Sequence, residues 1–383
     1  MDMKKILERS RIMNRRNKSL DKLTIRGFKS IRDLEGFELK DLNVFVGANG
    51  SGKSNFISFF RMLQSLIEGN LSDYVQENGG ISDLLYNGRK TTKKMEFVAR
   101  FGSRGYRFVI KPGAGEGFAI SDEARYYDGG YTGWWDLGSS GDSSSLLVKE
   151  AKGKSSDSQY SKPVYNAIRS WKIYHFHDTG IHAPMRHAEI VEDSKSLRYD
   201  ASNIAPFLLR LRNEKHSFYD EILDSCRLVA PYFDDFLLDE QQLGPKTKVA
   251  LSWKAKGSDY PMQPYHLSDG SVRFICLATA LLQPEPPSII IIDEPELGLH
   301  PEAIRILGEL IADASKRTQI IVATQSPLLL DQFSIEDVVV VNRKEGQSTF
   351  ERLKRTDFDQ WLNDYSVGEL WTKNVIQGGT THE

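Results

Sequence analysis

The sequence predicts an α/β protein whose core is a largely parallel sheet, interrupted by a β-rich lobe and a mainly helical insertion. Three observations carry that prediction. The run Leu42-Asn43-Val44-Phe45-Val46 reads as a strand, enters a glycine-rich loop, and is followed from Asn55 to Gly69 by apolar residues at helical spacing. Ser288 to Asp293 is a mostly apolar run of the kind buried on both faces in a parallel sheet. The chain continues through the apolar helical face Ala303, Ile304, Leu307, Leu310 and Ile311 to another strand at Gln319 to Thr324, a pattern that reads as a right-handed β-α-β unit.

Composition agrees with a folded protein of this class. At 383 residues the chain exceeds the roughly 250 to 300 residues at which single cores stop growing, so two or three subdivisions are expected. A hydrophobic content of 40% and a charged content of 27% exclude wholesale disorder. Cys226 and Cys276 stand far apart in apolar surroundings, which fits buried thiols in a reducing compartment better than a disulfide framework. No apolar run reaches the roughly 18 residues a membrane span needs, and the N-terminus carries charges where a signal peptide needs apolar residues; a cytoplasmic protein is expected.

Taken in order, residues 1–20 form a basic extension. Up to Lys22 it carries Lys4, Lys5, Arg9, Arg11, Arg15, Arg16, Lys18 and Lys22 against Asp2, Glu8 and Asp21, although the whole chain has a net charge of -2. Such an arm suits phosphates or an acidic partner; the plainer reading is a solvated extension, or a start placed ahead of Met13. Residues 21–170 begin with a strand at Leu23-Thr24-Ile25 and a polar turn before Leu42. After the first helix come short antiparallel strands at Lys94 to Phe101, Tyr106 to Lys111 and Ala124 to Tyr131. Gly138 to Ser158, rich in Ser, Gly, Asp and Lys, reads as an exposed mobile loop. Residues 171–265 form the insertion, helical from Asn203 to Phe236, and residues 266–383 return to α/β texture.

The chemistry concentrates at three places. Gly47-Ala48-Asn49-Gly50-Ser51-Gly52-Lys53-Ser54 is a complete Walker A loop between a strand and a helix. Glycines such as Gly47, Gly50 and Gly52 let backbone amides turn inward around phosphates, the following helix adds its positive end, Lys53 reaches the β and γ phosphates, and Ser54 ligates Mg2+. Ile289 to Ile292 deliver Asp293 and Glu294 at the C-terminal end of a strand, where open parallel sheets bind ligands. Asp293 is the candidate Mg2+ residue, and Glu294 the group that polarises attacking water. Third, Leu267-Ser268-Asp269-Gly270-Ser271 precedes an apolar helix. Its serine hydroxyl, glycine amides and helix N-terminus form a second anion-binding surface; taken alone, the string is an ordinary helix N-cap.

Together these motifs resemble the RecF, SMC and OLD group of ABC-class AAA ATPases, in a compact stand-alone form. The resemblance rests on Ile25-Arg26-Gly27-Phe28-Lys29-Ser30, the Walker A loop continuing into Asn55, the Leu267 signature, and the run Asp293-Glu294-Pro295-Glu296-Leu297-Gly298-Leu299-His300-Pro301. The ending Ser366 to Ile376 and the run Tyr174 to Thr179 are similar to compact members of the group. The resemblance implies a P-loop NTPase head of the ABC type that binds ATP and Mg2+ and forms a homodimer in the ATP state, with higher oligomers left open. Each ATP would lie between the Walker A residues Gly47, Asn49, Gly50, Ser51, Gly52, Lys53, Ser54 and Asn55 of one subunit and Ser268 and Gly270 of the other. Lys29 is implied as a phosphate contact, and Gln64 and Gln76 both remain open as the loop glutamine.

Where many relatives have histidine after the last strand's threonine, this chain reads Thr324-Gln325-Ser326. Gln325 is therefore a catalytic candidate that cannot change charge, which predicts weakly pH-dependent turnover between roughly pH 6.5 and 8. No long coiled-coil arm interrupts the head and no acidic nuclease-like segment follows the last strand, so DNA cutting would fall to another chain. Two roles follow: an ATPase acting on DNA in repair or anti-phage defence, or a regulatory ATPase that controls a partner nuclease or toxin without binding DNA. His175, His177, Asp178, His182 and His187 invite a metal reading, but without cysteines or dense carboxylates the structural reading is preferred. Trp134, Trp135, Tyr126, Tyr127 and Tyr131 suit base stacking, or more plainly lobe packing.

Overall fold

The computed structural model describes residues 19–129 and 132–376. The arm before Ser19 and Tyr131 lie outside the described residues. The strands are β1 (Lys22–Phe28), β2 (Ile31–Glu38), β3 (Leu42–Val46), β4 (Met95–Phe101), β5 (Arg104–Pro112), β6 (Phe118–Tyr127), β7 (Gly133–Gly138) and β8 (Lys172–Tyr174). Then come β9 (Glu189–Ile190), β10 (Phe233–Leu237), β11 (Gln241–Leu243), β12 (Lys246–Val249), β13 (Ser252–Ala255) and β14 (Pro261–Met262), and finally β15 (Ile289–Asp293), β16 (Gln319–Thr324), β17 (Val338–Lys344) and β18 (Gln347–Arg352).

The core sheet has the order β18-β17-β3-β16-β15-β8, parallel except for the β17–β18 hairpin. Its strands are apolar on both faces because both faces are covered. Successive side chains point opposite ways, so Val44, Val46, Ile290, Ile292, Ile320 and Val322 enter one core, while Phe45, Ile289, Ile291, Ile321 and Ala323 enter the other.

The second core holds the helix Lys53–Glu68 and the antiparallel lobe sheet, order β2-β1-β4-β5-β6-β7. Phe56 stacks on Phe45 with ring centroids 4.5 Å apart, and both are fully buried. Truncating either to alanine removes about 3 to 5 kcal/mol and loosens the helix that carries Lys53. The first core holds the helices Asp269–Leu282 and Pro301–Ser315 with the insertion's helices Ile204–Glu214 and His216–Val229. Residues 171–265 also contribute β8 to the core sheet and form two three-stranded sheets, β10-β13-β14 and β11-β12-β9. Among the described residues no helix is long and apolar enough to cross a membrane.

Three local expectations are corrected. The polar stretch before Leu42 contains β2, an edge strand that buries only Ile31 and Leu34, half-buries Phe37 and exposes four charged side chains. The strand expected at 124–131 begins earlier, at Phe118, and pairs with a further strand, β7. The expected mobile loop contains the helix Leu146–Lys152, with Leu147 and Ala151 buried. Its first amides, at Leu146 and Leu147, donate to the buried Glu123 carboxylate at 2.9 and 3.0 Å, and the Ser145 and Tyr106 hydroxyls join them at 3.0 Å. An acid placed from β6 thus organises a helix start that local composition hides.

Candidate functional site

The phosphate loop forms as its glycines require. Gly50 and Gly52 adopt φ of 77° and 116°, the left-handed region that costs other residues energy. Gly47 is needed for space as well, since a Cβ there would sit 2.2 Å from the Val341 carbonyl oxygen of β17. The helix Lys53–Glu68 starts from Gly52 with no side-chain cap, which leaves its first amides without an intrachain cap. Lys53 is buried, and its Nζ donates to the carbonyl oxygens of Gly47 at 2.5 Å and Ala48 at 3.2 Å. Burial pushes its pKa down, and the nearby carboxylates of Glu294, Asp293 and Glu296 oppose that shift. Ser54 is exposed at the start of the helix, whereas Ser51 Oγ is buried without a hydrogen-bond partner among the described residues.

β15 brings the acid pair beside this loop. The Asp293 carboxyl is held above the usual aspartate range, first by burial and then by like-charged Glu294. Glu294 adopts φ of 44°, a left-handed conformation rare for glutamate, while its amide donates to Ala323 O at 2.8 Å. Gln325, just past β16, closes the group. Its Nε2 donates to Glu294 Oε1 and to Asn49 Oδ1, each at 2.8 Å. One amide thus bridges the candidate water-polarising acid and the phosphate loop.

Sequence reasoning assigned no role to Glu296 or Arg273 and read His177 as structural. Glu296 accepts from the Thr324 hydroxyl at 2.5 Å and the Gln325 amide at 3.2 Å, its Oε2 is buried without a partner among the described residues, and burial raises its pKa. His177 bonds through Nε2 to Asp293 O at 2.9 Å and stacks on His175 with centroids 4.4 Å apart. A buried acid two residues past the acid pair was the available signal for Glu296. His177 stands in the histidine-rich run read as structural, and no local pattern marks Arg273.

Other candidates lie elsewhere. Asn55 donates to Ser30 Oγ at 2.7 Å, within a cluster where Ser30 meets Ser348 and Ser348 donates to Ser51 O at 2.6 Å; it braces the loop from outside. Lys29 donates from Nζ to Ser58 Oγ and Asn78 Oδ1 at 2.8 and 3.1 Å, one helical turn beyond Ser54. Gln64 donates to Trp171 O at 2.6 Å, while Gln76 is exposed. Ser268 is exposed and caps the helix Asp269–Leu282, accepting from the Ser271 amide at 3.1 Å. Buried Arg186 donates to Leu267 O at 3.1 Å and Asp269 Oδ1 at 2.8 Å, fixing this turn. The described partners of Ser268 and its turn belong to the helix, Arg186 and Tyr232, none of them in the phosphate loop.

Comparison with known proteins places this architecture. The family described as "AAA domain, putative AbiEii toxin, Type IV TA system" matches residues 42–331. The fold is similar to the Smc head bound to the C-winged helix domain of ScpA, with TM-score 0.56 and 17% identity, covering 89% of this chain and 99% of that one. It is also similar to an Smc head with an extended coiled coil bound to the C-terminal domain of ScpA derived from Pyrococcus furiosus, with TM-score 0.53 and 16% identity over 90% and 99% of the two chains. A comparison with curated proteins found no match.

Proposed function

The chain belongs to the AAA-domain family matched over residues 42–331 and has the ABC-type P-loop fold of SMC and RecF-like ATPases, and we propose that it hydrolyses ATP as a head-to-tail homodimer. The observation that carries the proposal is the Gln325 amide spanning Asn49 and Glu294, which joins the phosphate loop to the acid pair. Helix amides from Gly52 onward and Lys53 are suited to hold the phosphates.

The donors present fit Mg2+: a serine hydroxyl at Ser54 and a carboxylate at Asp293 are hard oxygen ligands, and the acid pair's mutual repulsion is what a divalent cation relieves. Bound there, the ion would neutralise charge on phosphate oxygens. Glu294 takes a hydrogen bond from Gln325 and is placed to orient and polarise water, while Gln325 holds it in register with the loop. Exposed Ser268 and half-buried Gly270 at this helix start are suited to a nucleotide held by a second copy.

We read the ATP-closed dimer as acting in a DNA-related process, repair or anti-phage defence, in keeping with the resemblance to RecF and SMC proteins. The second reading is a regulatory ATPase for a partner nuclease or toxin. The family's toxin–antitoxin description favours it, and one structurally similar Smc head is bound to a winged-helix domain of ScpA. Light scattering with ATP and magnesium tests the mechanism: Glu294→Gln is expected to bind ATP, hardly hydrolyse it, and double in mass. A mass indifferent to nucleotide refutes the dimer. Duplex DNA added to the same sample separates the two roles, since a salt-sensitive complex belongs only to the first.

A further inference from the structure

Arg273 lies one turn along the signature helix, on the same face as Gly270. Its guanidinium is buried and reaches three backbone carbonyls on two other segments. Nε donates to Phe176 O at 2.9 Å, one terminal nitrogen donates to His177 O at 2.8 Å, and the other donates to Leu297 O. The first two carbonyls follow β8, the edge strand beside β15; the third follows the acid pair.

Two short routes lead from these carbonyls to the reacting groups. His177 bonds to Asp293 O at 2.9 Å, and because a carbonyl only accepts, the ring proton sits on Nε2. Leu297 directly follows Glu296, whose carboxylate holds Thr324 and the Gln325 amide, and the Gln325 side chain then spans Glu294 and Asn49. Gly270 completes the joint: a Cβ there would lie 2.5 Å from Gly298 O, so the first turn of the signature helix rests directly on the loop after the acid pair.

We propose that Arg273 is a positioning residue that ties this chain's signature helix to its own acid pair and Gln325, so that a nucleotide clamped for a second copy sets the geometry for hydrolysis here. The proposal rests on the dimer reading above. One bond, to Leu297 O, and the Gly270–Gly298 contact make the signature turn and the Glu296–Gly298 loop move together, two more bonds tie the same helix to the segment after β8, and a misplacement of about 1 Å at a reacting group costs on the order of a hundredfold in rate. The two sites of a closed dimer then hydrolyse cooperatively. Lysine keeps the charge but lacks the planar fork that meets three carbonyls at once.

The test compares wild type, Arg273→Lys and Arg273→Met by binding of a fluorescent ATP, mass with ATP, and rate against ATP concentration. Arg273→Lys is expected to bind the labelled ATP like wild type and to gain dimer mass. Its turnover falls by roughly fivefold or more, and its Hill coefficient drops from near 2 toward 1. Should Arg273→Met fail to fold, the lysine variant decides alone. A lysine variant with wild-type rate and Hill coefficient overturns the proposal, as does one that binds ATP but never dimerises. A wild type that dimerises yet hydrolyses without cooperativity overturns the coupling and leaves the dimer intact. A wild type that never dimerises removes the underlying reading as well, and the mass measurement tells the two failures apart.

Discussion

The helices Lys53–Glu68 and Asp269–Leu282 both start from short Ser- and Gly-containing turns, yet their N-termini are in opposite states. The first follows a left-handed glycine, has no side-chain cap, and carries a buried lysine beside three carboxylates. The second is capped by its own Ser268, braced by Arg186, and exposed. Both have the positive end of a helix dipole. The uncapped terminus has no side chain on its first amides, although Lys53 must turn from the Gly47 and Ala48 carbonyls to meet an anion, whereas the capped one already uses a hydroxyl on its own amide and must share it. On the proposed function, anion binding is expected to be intrinsic to the phosphate loop and conditional at the signature.

That contrast is broken most directly at the hydrolysis site. Glu294→Gln should lower turnover about 10²- to 10⁴-fold while leaving ATP affinity nearly unchanged; a parallel loss of affinity would place Glu294 in binding instead. Lys53→Ala should weaken nucleotide affinity by about 10- to 100-fold, the loss expected for a charge-assisted hydrogen bond, as titration calorimetry would register. At the other terminus, Ser268→Ala should cost about 1 kcal/mol of stability through the lost cap and reduce ATP-driven dimer mass without altering ATP affinity at monomer concentrations. An equal loss of affinity in this variant would erase the distinction between the two turns.

Two smaller effects sharpen the comparison. Gln325 cannot change charge near neutral pH, so turnover of the wild type should vary little between roughly pH 6.5 and 8, and Gln325→His should introduce a slope there; rate profiles of the two proteins check this. The raised pKa values of Asp293 and Glu296 mean that the fold favours their neutral forms. Their stabilising contribution is therefore present at low pH and lost as pH rises through their folded pKa values. Without nucleotide and magnesium, acidification from neutral into the mildly acidic range should raise Tm by about 1 to 3 °C. Glu294→Gln removes one cause of the Asp293 shift, so a scan of that variant should show a smaller rise.

How much of this was legible depended on distance along the chain. The β3-loop-helix unit is contiguous, and its glycines, Lys53 and Ser54 stand in one string; β15 and its two acids form another. Burial of the core sheet on both faces is legible from continuous apolar runs, whose register is settled only in the fold because no alternation marks one face. The helix at Leu146–Lys152 was hidden because its organising acid, Glu123, arrives from β6. Asn55 and Lys29 lie near the loop in the chain's motifs, but their side chains end on Ser30, Ser58 and Asn78.

The sequence by itself determined the phosphate loop, the acid pair, the signature turn and the two-faced sheet, because each is dictated by neighbours a few residues away through backbone conformation and apolar periodicity. Only the tertiary structure decided that Gln325 joins Asn49 to Glu294, that His177 bonds the Asp293 carbonyl, and that Arg273 links Phe176, His177 and Leu297. The physical reason is that a side-chain hydrogen bond is fixed by direction and by about 3 Å of separation. Residues some 20 to 280 positions apart meet those conditions only after the sheet and its covering helices have packed.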